Sequence, residues 1–80
     1  MEIKRGAVVT AIAGRDSGGY FAVTEISGGY IYIADGKKRK LSAPKRKNRK
    51  HLRMTEKVIM LNNITDKKLR NVLSETAHTP

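Results

Sequence analysis

Residues 20–34, YFAVTEISGGYIYIA, decide the fold class of this chain. Apolar side chains alternate with other residues over residues 20–26 and again over residues 30–34, as they do in strands with one buried face. Between the two runs, residues 27–29 (SGG) are typical of a tight hairpin connection, because glycine tolerates the positive φ that such turns require. The stretch therefore predicts two antiparallel strands joined by a short turn.

The two faces of this hairpin carry different side chains. The alternation puts Phe21 and Val23 on one face, with Phe21 in the core, and Ile26 on the opposite face. Tyr30 and Tyr32 share one face of the second strand. Exposed rings on a sheet can stack on RNA bases, whereas aromatic residues of small barrels also pair across strands or fill the core. Both interpretations of the two tyrosines stay open at this point.

Further short strands are predicted on both sides of the hairpin. Residues 7–12 are small or β-branched and lie between glycines, and residues 51–60 contain a strand with a break near Thr55. The Asp-Gly dipeptide at residues 35–36 predicts a second hairpin, which leads into a charged edge strand at residues 38–42. Short strands with glycine turns at roughly ten-residue spacing are typical of a small all-β barrel. We expect the barrel to be closed and therefore to have no unpaired edges.

The end of the chain changes to a helical period. Leu69, Val72 and Leu73 fall on one face of a short helix that begins near Thr65. Thr65 is in position to cap this helix, and Asp66 in the first turn suits the helix dipole. We expect the apolar face of the helix to pack on the barrel.

Length and composition limit the possible functions. Eighty residues make one small domain, with a barrel at residues 1–60 and a helix with a frayed tail at residues 61–80. The net charge of +10 points to an acidic partner, nucleic acid before an anionic membrane surface. The chain has no cysteine, and its two histidines lack ligand spacing, so we predict no metal site. No apolar run is long enough for a signal peptide or a membrane helix, which favours a cytoplasmic protein.

Nine of the 17 basic residues lie in residues 37–50, KKRKLSAPKRKNRK, which we call the basic segment. The segment contains no acid, so its charges repel one another, and nucleic-acid phosphates would relieve that repulsion with release of counterions. Pro44 interrupts any helix here, so the segment is not the amphipathic helix of a membrane-surface protein. We therefore predict phosphate binding, in preference to a solvated loop or a nuclear-import signal.

Two blocks of the sequence resemble a known family. Residues 6–9 (GAVV), followed by residues 13–18 (AGRDSG) and Val23, resemble a KOW motif, which is a strand, a glycine-containing loop and the next strand of an SH3-like barrel. Together with the basic segment and residues 48–52 (NRKHL), this block resembles the small KOW ribosomal proteins of the fourteen-e kind in archaeal and eukaryotic large subunits. It also resembles stand-alone bacterial KOW RNA-binding proteins. The resemblance covers about residues 5–55 and leaves the rest of the chain unassigned.

The resemblance implies an SH3-like barrel that binds RNA, ribosomal RNA in the first place, and that is associated with the ribosome. In such domains the loop between the first two strands reaches RNA, and here that loop spans residues 14–19. We interpret Asp16 in this loop as a turn former that bonds its own backbone, with Arg15 as a possible partner. His51 is either an RNA contact or a strand-start residue. The predicted RNA-binding residues are Arg15, Gly18, Lys37, Lys38, Arg39, Lys40, Lys45, Arg46, Lys47, Asn48, Arg49, Lys50 and His51.

Catalysis is not predicted, because the sequence shows no acidic pair, no cysteine nucleophile and no serine in a His-Asp setting. No cofactor is expected, and the protein is expected to be a monomer. The alternative is a protein-interaction or transcription-elongation module that uses the barrel and the C-terminal helix. A general DNA-binding protein is a third reading, but no basic helix suits the major groove.

Overall fold

The computed structural model describes residues 3–78, with side chains described up to residue 76. Within these residues, five antiparallel strands form one sheet, and one α-helix follows them. The strands are β1 (Ala7–Ala11), β2 (Tyr20–Ser27), β3 (Tyr30–Ala34), β4 (Lys45–Asn48) and β5 (Leu52–Val58), and the helix is α1 (Asp66–His78). The predicted mainly β fold with a C-terminal helix is confirmed.

The strands follow the order β4-β3-β2-β1-β5, which agrees with the SH3-like fold predicted from the sequence. A 3-10 turn, Arg49–His51, joins β4 directly to β5. The prediction of a closed barrel is wrong, because in the described residues β4 and β5 are the two edges of the sheet and no ladder pairs them. β4 is short and carries the exposed side chains of Lys45 and Arg46, which discourage another strand from pairing at this edge.

The hairpin between β2 and β3 has the predicted turn. Gly28 and Gly29 have φ values of +56° and +83°, and Ser27 pairs with Tyr30 on either side of them. Positive φ at both central residues is the property that selects glycine in a two-residue hairpin loop. The sequence SGG therefore determined this connection by itself.

Two irregularities bend the strands. A register shift between Val23 and Glu25 makes Ile26 pair with Ile31, so Ile26 lies on the face of Val23 and not on the opposite face. Near Thr55, where a break was predicted, β5 is continuous but its register against β1 shifts, and the Thr55 hydroxyl donates to a β1 carbonyl at 2.8 Å. One extra residue reverses the alternation that follows it, which is why the strand pattern assigned Ile26 to the wrong face.

The second predicted hairpin, at residues 35–36, is wrong. The Asp35 carboxylate accepts the backbone N–H groups of Lys37 and Arg39 at 2.9 and 2.8 Å, and the Asp35 N–H donates to the Arg39 carbonyl. These bonds close a tight loop where a strand was predicted at residues 38–42. An aspartate side chain competes with ladder hydrogen bonds for nearby backbone groups, so the charged edge strand begins later, at Lys45.

This loop packs against the first turn of α1. Gly36 has φ of +77°, and a Cβ at this position would overlap the backbone carbonyl of Asp66. The Asp66 carboxylate accepts the Leu41 N–H at 2.8 Å, and the Arg70 guanidinium donates to the Gly36 carbonyl at 3.1 Å. The backbone of the loop therefore approaches the helix as closely as only glycine permits.

Apolar side chains form one cluster on each side of the sheet. The cluster within the curved sheet contains Ala7, Val9, Ala11, Phe21, Val23, Ile31, Ile33 and Leu52. The cluster between the sheet and α1 contains Val8, Ala22, Ala34, Leu61, Leu69 and Leu73. The predicted docking of the helix is thus confirmed.

α1 begins where the local sequence predicts, and it ends later than expected. The Thr65 hydroxyl accepts the Lys68 N–H at 3.2 Å, as predicted for the N-cap. The backbone is helical as far as His78, so the prediction of a frayed end is wrong for residues 77–78, and its remaining part, residues 79–80, lies outside the described residues.

The docking of α1 can be tested at Leu73, which is 5% exposed. Leu73→Ala should lower the free energy of unfolding by about 2–5 kcal/mol, because it removes buried methyl groups and leaves a cavity. The control is Met60→Ala, since Met60 is 82% exposed and its change should stay within about 0.5 kcal/mol. Urea unfolding measures both. An unchanged midpoint for Leu73→Ala would contradict the docked helix.

Candidate nucleic-acid interface

One buried carboxylate, that of Asp16, lies beneath the basic segment and is only 3% exposed as a residue. The Arg39 guanidinium meets it with a forked contact, Nε to Oδ1 at 3.3 Å and Nη2 to Oδ2 at 3.1 Å. The Lys47 Nζ lies 3.5 Å from Oδ2 and also donates to the Ala13 carbonyl at 3.3 Å. The Lys38 Nζ lies 3.9 Å from Oδ1. Three cations of the basic segment therefore converge on one anion.

The fold brings these groups together from three places, which are the β1–β2 loop, the loop after β3 and strand β4. The loop after β3 contributes Lys38 and Arg39. Asp16 lies in the loop between β1 and β2, whose turn is closed by backbone bonds such as that from the Gly19 N–H to the Asp16 carbonyl. Lys47 pairs with Ile31, so its side chain points to the inner face of the sheet. The sequence-based interpretation of Asp16 is wrong: its carboxylate bonds to Arg39, 23 residues away, and not to its own backbone or to Arg15. The backbone already satisfies the turn, which leaves the carboxylate for distant cations.

Opposing effects act on the pKa of Asp16. Burial alone would raise the pKa of this carboxyl, but the hydrogen bonds from Arg39 and the charges of Arg39, Lys47 and Lys38 outweigh it. The pKa of Asp16 in the folded protein is therefore below its ordinary value. A lowered folded-state pKa contributes stability that is present at neutral pH and is lost as the pH falls through that pKa.

The cations of the basic segment divide into two groups. Arg39 and Lys47 turn inward, with side chains 28% and 9% exposed, while the Lys38 side chain is 60% exposed and only its tip approaches Asp16. The other six side chains are exposed and form no ion pair with an acid in the described part of the chain. We call them the six exposed cations; they are Lys37, Lys40, Lys45, Arg46, Arg49 and Lys50.

The loop of residues 14–19 between β1 and β2, which we call the glycine loop, lies beside the basic segment. Arg15 is exposed, and its carbonyl accepts the Lys38 ammonium at 3.4 Å. Gly18 lines an open cavity of about 480 Å³ together with Lys37 and Arg70. The structure thus brings Arg15 and Gly18 next to Lys37 and Lys38 at the start of the basic segment. Sequence reasoning missed Arg70, and no local pattern could have found it, because it donates to the Gly36 carbonyl in the loop after β3, a contact that spans 34 residues.

The remaining predicted residues lie on or near β4. Asn48 is exposed, and its Oδ1 accepts the Lys50 N–H at 3.1 Å, which starts the 3-10 turn. His51 is partly buried at the end of that turn, and its carbonyl accepts the Ile12 N–H at 2.9 Å. On the neighbouring strand the ring of Tyr30 is exposed, whereas Tyr32 is partly buried.

Other kinds of site find little support in residues 3–78. Among the side chains of residues 3–76, no three of His, Asp or Glu lie close enough together to hold a metal ion. No helix in that range is long and apolar enough to cross a bilayer. No protein-family model matches the chain, and neither does any curated protein. The resemblance to KOW and ribosomal proteins therefore stays a prediction.

The ion cluster at Asp16 should control stability in a pH-dependent way. At pH 7, Asp16→Asn should lower the free energy of unfolding by about 3 kcal/mol, the low end for a buried ion pair because Lys38 and Arg39 reach water. As the pH falls below about 4, the Asp16 carboxyl binds a proton in the unfolded chain first, so the gap between the two proteins should begin to narrow, and it should close once the pH is below the lowered pKa of folded Asp16. Urea unfolding at several pH values measures this gap.

The matched control for this experiment is Glu25→Gln, which neutralises an exposed acid on β2. Its effect should stay within about 0.5 kcal/mol at every pH. A gap for Asp16→Asn that persisted unchanged to pH 2 would show that the charge of Asp16 is not what stabilises the cluster.

Proposed function

We propose that this protein binds structured RNA without catalysis, with ribosomal RNA as the first candidate. The observation that carries the proposal is that the cations of the basic segment divide into an inward-facing group and an exposed group. Asp16 neutralises part of it, and the six exposed cations face solvent and form no ion pair with an acid among the described residues. Cations held at this density repel one another, and a polyanion relieves that repulsion while it releases counterions.

The basic segment is held in place by bonds to the rest of the fold, which favours binding. Asp35 bonds its first residues, Asp66 bonds Leu41, and Asp16 bonds Arg39. A segment that is already ordered loses less conformational entropy when it binds. The exposed cations can therefore contact phosphates from a fixed arrangement, which suits RNA of defined shape.

The glycine loop supplies a different kind of contact. Arg15 is exposed there and offers a planar fork that fits a phosphate or a base edge. Gly18 is exposed, and apart from its two chain neighbours no described residue has an atom within 4 Å of the position of its absent Cβ, so a sugar-phosphate chain can come close. Lysine contacts to phosphate carry little sequence information, so RNA shape would provide most of the specificity.

A second candidate function rests on the β5 edge of the sheet. Val58 and Met60 lie at or just beyond this unpaired edge and are 51% and 82% exposed. Exposed apolar side chains at a strand edge favour a protein partner, as in a protein-interaction or transcription-elongation module. Such a partner would stay bound in moderate salt, whereas RNA held through phosphates would dissociate.

The phosphate contacts can be tested by replacing Lys45, Arg49 and Lys50 with Ala. Each phosphate contact contributes about 0.7 to 0.9 to the slope of log affinity against log salt, so the slope should become shallower by about 2 to 3. Binding to ribosomal RNA and to random RNA should weaken together. The control replaces Lys57, Lys67 and Lys68, which removes the same charge elsewhere.

The charge-matched control should keep most of the wild-type slope. Equal losses in the two triple variants would mean that net charge, and not the basic segment, determines binding. A wild type without affinity for RNA at low salt would refute the proposed function, and ultraviolet crosslinking in cells would then be expected to recover no RNA.

Arg15→Ala should behave differently from the triple variant. If Arg15 enters a defined RNA cleft, the change should weaken binding to the cognate RNA recovered by crosslinking more than binding to random RNA. The salt slope should change by about one contact or less. A uniform loss for both RNAs would instead make Arg15 another phosphate contact.

A further inference from the structure

The outer face of β3 and β4 combines exposed aromatic surface with a guanidinium group. Tyr30 pairs with Asn48 and Tyr32 pairs with Arg46, and directly opposed residues of an antiparallel pair share a face. The Arg46 Cζ lies 4.6 Å from the centroid of the Tyr30 ring. Tyr30 is 41% exposed, so part of this ring remains open to solvent.

The fold does not depend on the Tyr30 ring. Neither apolar cluster contains Tyr30, and Ile31 beside it points to the inner face and fills the core. An exposed contact between a guanidinium and an aromatic ring contributes little to stability. The contact between Tyr30 and Arg46 is therefore weak, and a bound ligand can rearrange the two side chains at little cost in free energy.

Both groups of this pair bind nucleobases well. Tyrosine rings and guanidinium planes are the surfaces on which RNA-binding proteins stack unpaired bases. The Asn48 oxygen is used by the Lys50 N–H, which leaves the amide nitrogen of Asn48 for the edge of a base beside Tyr30.

The charges around this face indicate the path that a bound RNA strand would follow. Arg49 and Lys50 follow Asn48 and are exposed, so cations are available for the phosphate on that side of a stacked nucleotide, whereas Lys45 pairs with Ile33 and points to the inner face. Glu25 pairs with Tyr32 on the β2 side, where its carboxylate would repel phosphate. An RNA strand is therefore favoured along β4 and disfavoured across β2.

We propose that Tyr30 and Arg46 form a stacking platform for an unpaired base of the bound RNA. The proposal rests on the RNA binding proposed above and adds the substrate class, which is a nucleotide in a loop, bulge or other single-stranded part of a structured RNA. A fully paired helix would bind only through its phosphates, since its bases are not available to the ring.

The test compares Tyr30→Ala, Tyr30→Phe and Ile26→Ala. Ile26 is the matched control, because it lies on the same hairpin and is 45% exposed but points to the opposite face. Affinity is measured for a single-stranded RNA oligonucleotide and for a blunt duplex of the same sequence, over a range of salt concentrations. A 2-aminopurine in the single strand reports stacking through its fluorescence, and urea unfolding confirms that each variant is folded.

Tyr30→Ala should weaken binding of the single strand by about 5- to 150-fold, which corresponds to the loss of one stacked base. The salt slope should not change, because tyrosine carries no charge at neutral pH, and binding of the duplex should be nearly unaffected. Tyr30→Phe keeps the ring and should keep both the affinity and the 2-aminopurine quenching. Ile26→Ala should resemble wild type.

Several outcomes would overturn the platform while leaving the proposed function intact. One is unchanged binding of the single strand by folded Tyr30→Ala. Another is an equal loss for single strand and duplex, and a third is an equal loss in Ile26→Ala. Failure of the wild type to bind either RNA at low salt would refute the proposed function itself, so the two failures are distinguishable.

Discussion

A carboxylate removed from water is stable in a protein only when cations and hydrogen bonds replace its hydration, and Asp16 has both. Arg39, Lys47 and Lys38 surround it, and their combined effect lowers its pKa despite burial. The same contacts hold the β1–β2 loop against the basic segment and fix Lys47 on the inner face of β4. The arrangement of the basic surface depends on this one anion, because without it inward-facing cations would be buried and unpaired.

Two further aspartates shape a segment that contains no acid of its own. Asp35 accepts backbone N–H groups and turns the chain away from β3, and Asp66 accepts the Leu41 N–H at the start of α1. Gly36 lets the two backbones come close enough for this second contact. The basic segment is therefore ordered by anions outside it, which hold some cations inward and leave the others outward in a fixed pattern.

The two faces of the sheet each bury one apolar cluster. α1 covers the face that carries Val8 and Ala22, and the curved sheet encloses the other cluster, so the two clusters take up most of the large aliphatic side chains, while Ile12, Ile26, Val58 and Met60 stay exposed. Beyond Ala34, the same face that α1 covers carries tyrosine, arginine and asparagine side chains on β3 and β4, and the exposed Arg49 and Lys50 follow them. Phosphate contacts and base contacts would then come from neighbouring residues on one surface, the former for affinity and the latter for preference among RNAs.

Local patterns were enough to determine part of this protein from its sequence. The alternation of residues 20–34 with its glycine pair, the capped helix after Thr65 and the concentration of charge in the basic segment are properties of neighbouring residues. They predicted the hairpin, the helix and the residue types of the candidate site. Only the tertiary structure decided that β4 starts at Lys45, that Ile26 changes face and that Asp16 is the partner of Arg39 and Lys47. These outcomes depend on a bulge, on a side chain that competes with the ladder and on contacts that span 23 or more residues, and none of them leaves a periodic signal in the chain.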